Sequence, residues 1–224
     1  MKFASLGAAA LALVPRMAFA AEAESTLTPE AALARLQAGN EKFVADADAC
    51  AAHLVERRAA VAKGQAPWAT ILTCSDSRVT PELIFGGVTL GELFVVRNAG
   101  NVLETNGLGT IEYGAEHLHA PLIVVMGHKK CGAVAAACDV AKNGTAYDDS
   151  VGKMIQPIIP LALANQAKPG DFVDNTVHAN AVRGAARIVA ESPMVAHLAE
   201  AGKVKVVPAY YDLDSGHVDF LTMG

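Results

Sequence analysis

Leu122-Ile123-Val124-Val125-Met126-Gly127-His128-Lys129-Lys130-Cys131-Gly132 decides how this chain is read. Five apolar residues in a row, three of them β-branched, predict a short strand, Leu122–Met126, buried on both faces. Gly127 lets the chain turn out of that strand. A histidine and a cysteine three apart follow, with Cys131 starting a helix that runs to about Ala141. The same order recurs upstream. Trp68 to Thr73 reads as a second buried strand, and it runs straight into Cys74-Ser75-Asp76-Ser77-Arg78-Val79. Two strands thus each end on a pair of metal-type donors.

Working outward, Leu93 to Val96 predicts a third buried strand, with a helix from about Gly107 to Leu118 before Leu122. Met154–Asn165, Asn175–Glu191 and Pro193–Ala201 read as further helices. Val204–Tyr211 and His217–Leu221 flank Asp214-Ser215-Gly216 and predict a closing β-hairpin. Near the other end, Thr28 caps a helix with Pro29 at its first position, running to about Val44. A second helix, Ala51–Ala62, stops at Gly64. Strands alternating with helices predict an α/β fold: a single domain with a central, mostly parallel β-sheet flanked by helices, and a C-terminal β-hairpin. In open parallel sheets, ligands sit beyond the carboxyl ends of the strands. Cys74 and His128 are therefore expected at one sheet edge, although 128 − 74 = 54 positions separate them.

The 224 residues are 52% apolar and 18% charged, which suits a packed globular chain rather than a disordered one. A net charge of −5 and the lack of a basic stripe with interleaved aromatics argue against a nucleic-acid binder. Lys2, the apolar run Leu6–Val14 and the small-x-small site Ala18-Phe19-Ala20 read as an export signal over residues 1–20. The mature domain is then 21–224, periplasmic or secreted. The apolar run is too short to span a bilayer, so no membrane span is expected in the mature chain.

Of the four cysteines, Cys74 and Cys131 each have a second donor two or three residues away and are assigned to metal. Cys50 and Cys138 lie in alanine-rich helical text and read as small buried apolar residues; a disulfide between them is left open.

Cys74, Asp76, His128 and Cys131 together offer two sulfurs, a carboxylate and an imidazole, which is tetrahedral zinc chemistry. The helix start is expected to lower the thiol pKa of Cys131. Arg78, two beyond Asp76, can hold its carboxylate through two hydrogen bonds. With Asp76 on the metal the site is closed. With Asp76 drawn to Arg78 a fourth position opens for water, whose pKa a zinc ion lowers to about 7.

At these residues the chain resembles the β-class carbonic anhydrases, from about Leu27 to Leu221. The ordered motifs are Gly64-Gln65-Ala66-Pro67, Cys74-Ser75-Asp76-Ser77-Arg78-Val79, Gly91-Glu92-Leu93-Phe94-Val95-Val96-Arg97-Asn98, Ile111-Glu112-Tyr113 and Gly127-His128-Lys129-Lys130-Cys131-Gly132. The resemblance implies Zn2+ on Cys74, His128 and Cys131, with Asp76 and Arg78 as a dyad beside it. The activity implied is reversible hydration of CO2 to bicarbonate and a proton by zinc-bound hydroxide. It further implies a homodimer or higher homo-oligomer, with Gln65, Phe94, Ala99, Tyr113 and Gly132 at a substrate pocket that crosses the subunit boundary. Ile71 stands where members shut by bicarbonate have Trp, so an open site is expected. Two rival readings are a carbonyl sulfide or carbon disulfide hydrolase on the same scaffold, and a non-catalytic zinc-binding protein.

Overall fold

The apolar runs become the strands of one five-stranded sheet. A computed structural model describes residues 25–47 and 54–223. The leader (1–20) and Cys50 lie outside the described residues. Helix α1 (Pro29–Ala45) begins at Thr28, whose hydroxyl oxygen accepts the Ala31 N–H at 3.2 Å. The described part of the second helix is α2 (Leu54–Val61). Strand β1 (Ala69–Cys74) is followed by the short helix α3 (Pro81–Ile84) and strand β2 (Leu93–Asn98). Helix α4 (Thr105–Glu116), strand β3 (Leu122–His128) and helix α5 (Gly132–Asn143) come next.

The single helix expected over Met154–Asn165 is instead two, α6 (Ser150–Ile155) and α7 (Ile159–Asn165). Pro157 lies between them; its ring has no N–H to donate and collides with the carbonyl four residues back. Pro160 falls in the first turn of α7, where a missing donor is harmless. Helix α8 (Phe172–Glu191) starts three residues before the expected Asn175, because Asp171 caps it by accepting the Asp174 N–H at 2.8 Å. Helix α9 (Pro193–Glu200) and the antiparallel pair β4 (Lys205–Tyr211) and β5 (Val218–Phe220) complete the chain.

The strand order is β2-β1-β3-β4-β5, with β1 to β4 parallel. From β1 the chain moves first to one side, to β2, and then to the other, to β3. The order therefore reverses between β1 and β3, the two strands that carry metal-type donors, and clefts form at the carboxyl ends of such a pair. Alternate residues feed two cores. Ile71, Val124 and Val207 pack with Ala32 and Leu36 of α1, whereas Leu72, Ile123, Val125 and Val206 pack with Ile111 of α4, Ile188 of α8 and Val195 of α9.

Strand β2 departs from expectation. Its apolar residues Leu93 to Val96 are only half-buried, whereas β1 and β3 are buried throughout. The reason is position: among the described residues β2 is the edge strand, with a neighbour on one side only. Gly127 also differs in role. It lies inside β3, and a Cβ there would meet Val177 Cγ1 at 2.7 Å, so the glycine admits α8 against the sheet. No described helix is long and apolar enough to cross a membrane.

Candidate metal centre

Two strand ends and one tight loop build the centre. Cys74 closes β1, in register with Asn98 of β2. His128 closes β3, in register with Tyr211 of β4. Cys131 is the N-cap residue of α5. All three side chains are buried, and their donor atoms lie within 4.8 Å of one another. The two sulfurs are 3.9 Å apart.

His128 shows which way the ring is used. Its Nδ1 is 2.8 Å from the Lys129 carbonyl oxygen, which can only accept, so Nδ1 carries the hydrogen. Nε2 is then a bare lone pair. It is buried and has no hydrogen-bond partner among the described residues. An acceptor left so costs about 1–3 kcal/mol unless something fills the gap. Two sulfurs and one imidazole nitrogen converging on a dry point suit a zinc ion with three protein ligands and a free fourth position.

The Cys74 and Cys131 sulfurs share one hydrogen bond, His128 lies beside them, and the Gly100 N–H donates to Cys74 Sγ at 3.3 Å. These contacts pull the Cys74 thiol down to about 4. The Cys74 sulfur and burial push Cys131 upward. The N–H groups of Ala133 and Val134, at the start of α5, act on the Cys131 thiol in the lowering sense that the helix-start argument expects, against the raising effect of Cys74 and burial.

Asp76 stands apart from the three-donor group. Arg78 donates from Nε to Oδ1 at 2.9 Å and from Nη2 to Oδ2 at 2.7 Å, and its own N–H reaches Oδ1 at 3.0 Å. The Arg78 hydrogen bonds hold the Asp76 carboxyl far below the usual carboxylate range. Oδ2 remains 3.8 Å from His128 Nε2.

Residues beyond the ligands fix this geometry. Arg97 donates to the carbonyls of Cys74 at 3.1 Å and Asp76 at 2.8 Å, bracing the loop that carries both. Gly100, at φ +80°, presents its N–H to Cys74, and Asn180 of α8 holds the Gly100 carbonyl at 2.8 Å. Asn98 closes the same loop by pairing both ways with the backbone of Val102. The run Asn98-Ala99-Gly100-Asn101 after a strand is the turn signal that marks it in the sequence. Asn180 carries no comparable mark, and Arg97 is marked only by its place in the Gly91–Asn98 motif.

The pocket residues expected from the resemblance fall into two groups. Ala99 lies in the Gly100 loop, and Gly132 opens α5 beside Cys131, facing space where a Cβ would touch nothing. Gln65, Phe94 and Tyr113 do not reach this cluster. Gln65 precedes β1, at the far end from Cys74. Phe94 lies four residues before Asn98, about 13 Å back along the strand. It packs beside Tyr113, with ring centroids 6.0 Å apart, over an open hollow also lined by Thr105, Asn106, Gly109 and Thr110. Cys138 is a buried free thiol beside Thr176. His178 stacks on Tyr210 at 4.1 Å, and Tyr113 faces His117 at 5.1 Å.

A family model described as carbonic anhydrase matches residues 69–218. A protein of Mycobacterium tuberculosis named carbonic anhydrase 2 is 38% identical over 188 residues, covering 84% of this chain and 90% of that one. The structure of the β-carbonic anhydrase CafA of Aspergillus fumigatus superposes with a TM-score of 0.70 at 26% identity, covering 87% of this chain and 91% of that one. A tetrameric β-carbonic anhydrase of Sordaria macrospora shares the fold, with a TM-score of 0.66 at 24% identity over 73% of this chain and 84% of that one.

Proposed function

The chain belongs to the β-class carbonic anhydrase family, and from that premise we propose that it is a zinc lyase, a carbonate dehydratase that interconverts CO2 and water with bicarbonate and a proton. Cys74, His128 and Cys131 would hold the Zn2+. The single observation that carries this reading is the bare, buried Nε2 of His128 converging with two sulfurs while Arg78 restrains the nearest carboxylate.

A Zn2+ ion held by Cys74, His128 and Cys131 would supply Lewis acidity and bring the pKa of a water to about 7. The residues do the rest. Arg78 keeps Asp76 out of the fourth position. Asp76 stays ionised, and Oδ2, which accepts one bond from Nη2, keeps a lone pair on the side of His128. That lone pair can accept a hydrogen bond from the reacting oxygen and aim it. Gly132, with open space at its Cα, leaves room for substrate beside Cys131.

The active unit is a homodimer or larger. Phe94 and Tyr113 are remote from their own cluster, the β2 edge is half-exposed and apolar, and Tyr113 is 36% exposed. A second copy across this face would bury it and bring Gln65, Phe94 and Tyr113 towards the neighbouring centre, where the aromatics give apolar CO2 a dry wall. Residues 1–20 would export the chain to the periplasm or beyond.

Stopped-flow CO2 hydration on the purified chain, with metal content measured on the same sample, tests the assignment. One zinc per chain and hydration lost on chelation are expected. Full hydration by metal-free protein would overturn it.

A further inference from the structure

Only Lys129 and Lys130 separate the second ligand from the third, and the loop they form is held from outside. Lys130 adopts φ +56°, a conformation non-glycine residues seldom take. Lys129 carries the carbonyl that accepts the His128 Nδ1 hydrogen at 2.8 Å. Its N–H continues the ladder to the Tyr211 carbonyl at 2.9 Å. Both side chains then reach the turn between β4 and β5. Lys129 Nζ lies 3.1 Å from Asp212 Oδ2 and 3.1 Å from Asp214 Oδ2, and Lys130 Nζ lies 3.1 Å from Asp214 Oδ1.

That turn is a firm anchor. Asp212 Oδ1 accepts the N–H groups of Asp214 at 2.7 Å and Ser215 at 3.3 Å, leaving Oδ2 for Lys129. Gly216 supplies the left-handed step at φ +79°. Asn40 of α1, only 4% exposed, donates to the Gly216 carbonyl at 2.8 Å and accepts the Val218 N–H at 2.8 Å. A continuous line of bonds therefore runs from a buried residue of the first helix, through the hairpin turn, to the carbonyl that fixes the ligand imidazole.

We propose that the β4–β5 turn is a positioning element of the metal centre: Asp212 and Asp214, braced by Asn40, hold Lys129 so that its carbonyl locks His128 with Nε2 towards the metal, and this grip slows metal release. Lys129, Asp212 and Asp214 are positioning residues that touch neither metal nor substrate. The inference rests on the zinc reading above.

The test is the rate at which zinc-loaded protein gives up its metal to a chromogenic chelator. Partners in contact with ligands typically govern metal affinity 10- to 100-fold, and these residues act one bond further out, so Lys129→Met and Asp214→Asn are expected to release zinc roughly three- to tenfold faster. Lys129→Arg should restore most of the grip. Adding Lys129→Met to an Asp212→Asn, Asp214→Asn background should change little, since the contacts are already gone. Arg35→Met removes the separate Arg35–Glu92 pair of 2.7 Å and serves as a control for general loosening. Release from the lysine and aspartate variants at the wild-type rate, or no faster than from Arg35→Met, would overturn the proposal. A wild-type chain that takes up no zinc would overturn the zinc reading with it.

Discussion

Arg78 reaches back two residues and clasps both oxygens of Asp76, yet leaves Oδ2 only 3.8 Å from the Nε2 of His128. The carboxylate is thus a small side-chain movement away from the buried donors, and the guanidinium is what restrains it. A planar, two-pronged cation does this better than a point charge.

Arg78→Ala should therefore free Asp76 to approach the metal and close the centre. The expected result is about one zinc per chain with CO2 hydration slowed about a hundredfold. Asp76→Asn should keep the metal and lose a similar factor, because a neutral amide accepts the hydrogen bond of the reacting oxygen more weakly than a carboxylate does. Metal analysis paired with stopped-flow rates checks both. Loss of zinc in step with activity would refute this division of labour.

Cys74→Ser and His128→Ala remove donors from the three-atom cluster. Metal and activity should disappear together in each, because two remaining protein donors hold zinc poorly. Measured zinc content well below a tenth of wild type, at equal helix content by circular dichroism, is the expected outcome.

The pH behaviour follows from the sign of the Asp76 shift. Its carboxyl is depressed by Arg78, so the stability it adds is present above the ordinary carboxylate value and is lost only as pH falls through the lower folded value. Between about pH 6 and about pH 9 it stays ionised throughout. The hydration profile in that range should carry no inflection from Asp76, and Asp76→Asn should depress the rate by one factor at every pH. A profile whose midpoint moves in Asp76→Asn would contradict this.

Tyr113→Asp tests whether one chain completes another's pocket. The side chain is exposed enough for the fold to survive, and a charge on the apolar β2 face should oppose association. Sedimentation should show monomers that retain zinc and have lost most activity. A fully active monomer would exclude a shared pocket.

Gly127→Ala should destabilise by about 1–3 kcal/mol, since the new methyl meets Val177 at 2.7 Å. In the Val177→Ala background the same substitution should cost clearly less. Melting temperatures across the four proteins give that coupling directly.

Much of this was legible in residue order because burial leaves a plain mark. Ile71-Leu72 and Ile123-Val124-Val125 fill both faces of the sheet, so their runs are continuous, and Cys74, His128 and Cys131 follow where such strands must end. Leu93 to Val96 is equally apolar but lies at an edge, and composition does not distinguish the two. The split at Pro157 has a visible cause in the chain. The grip of Asp212 and Asp214 on Lys129 does not: the partners are more than 80 positions apart, and lysines and aspartates in turns read alike whether solvated or paired. Asn180 on the Gly100 carbonyl is hidden for the same reason.

The pairing of β1 with β3 bears on how a newly made chain acquires its ion. Pairing of parallel neighbours is slow as a rule, because the chain between them must close into a large loop. Until then Cys74 belongs to one short chelating pair and His128 with Cys131 to another, each a weak grip open to any passing copper or cadmium. Convergence of the three donors is thus a property of the finished sheet, and tight metal loading should follow maturation of the fold rather than guide it.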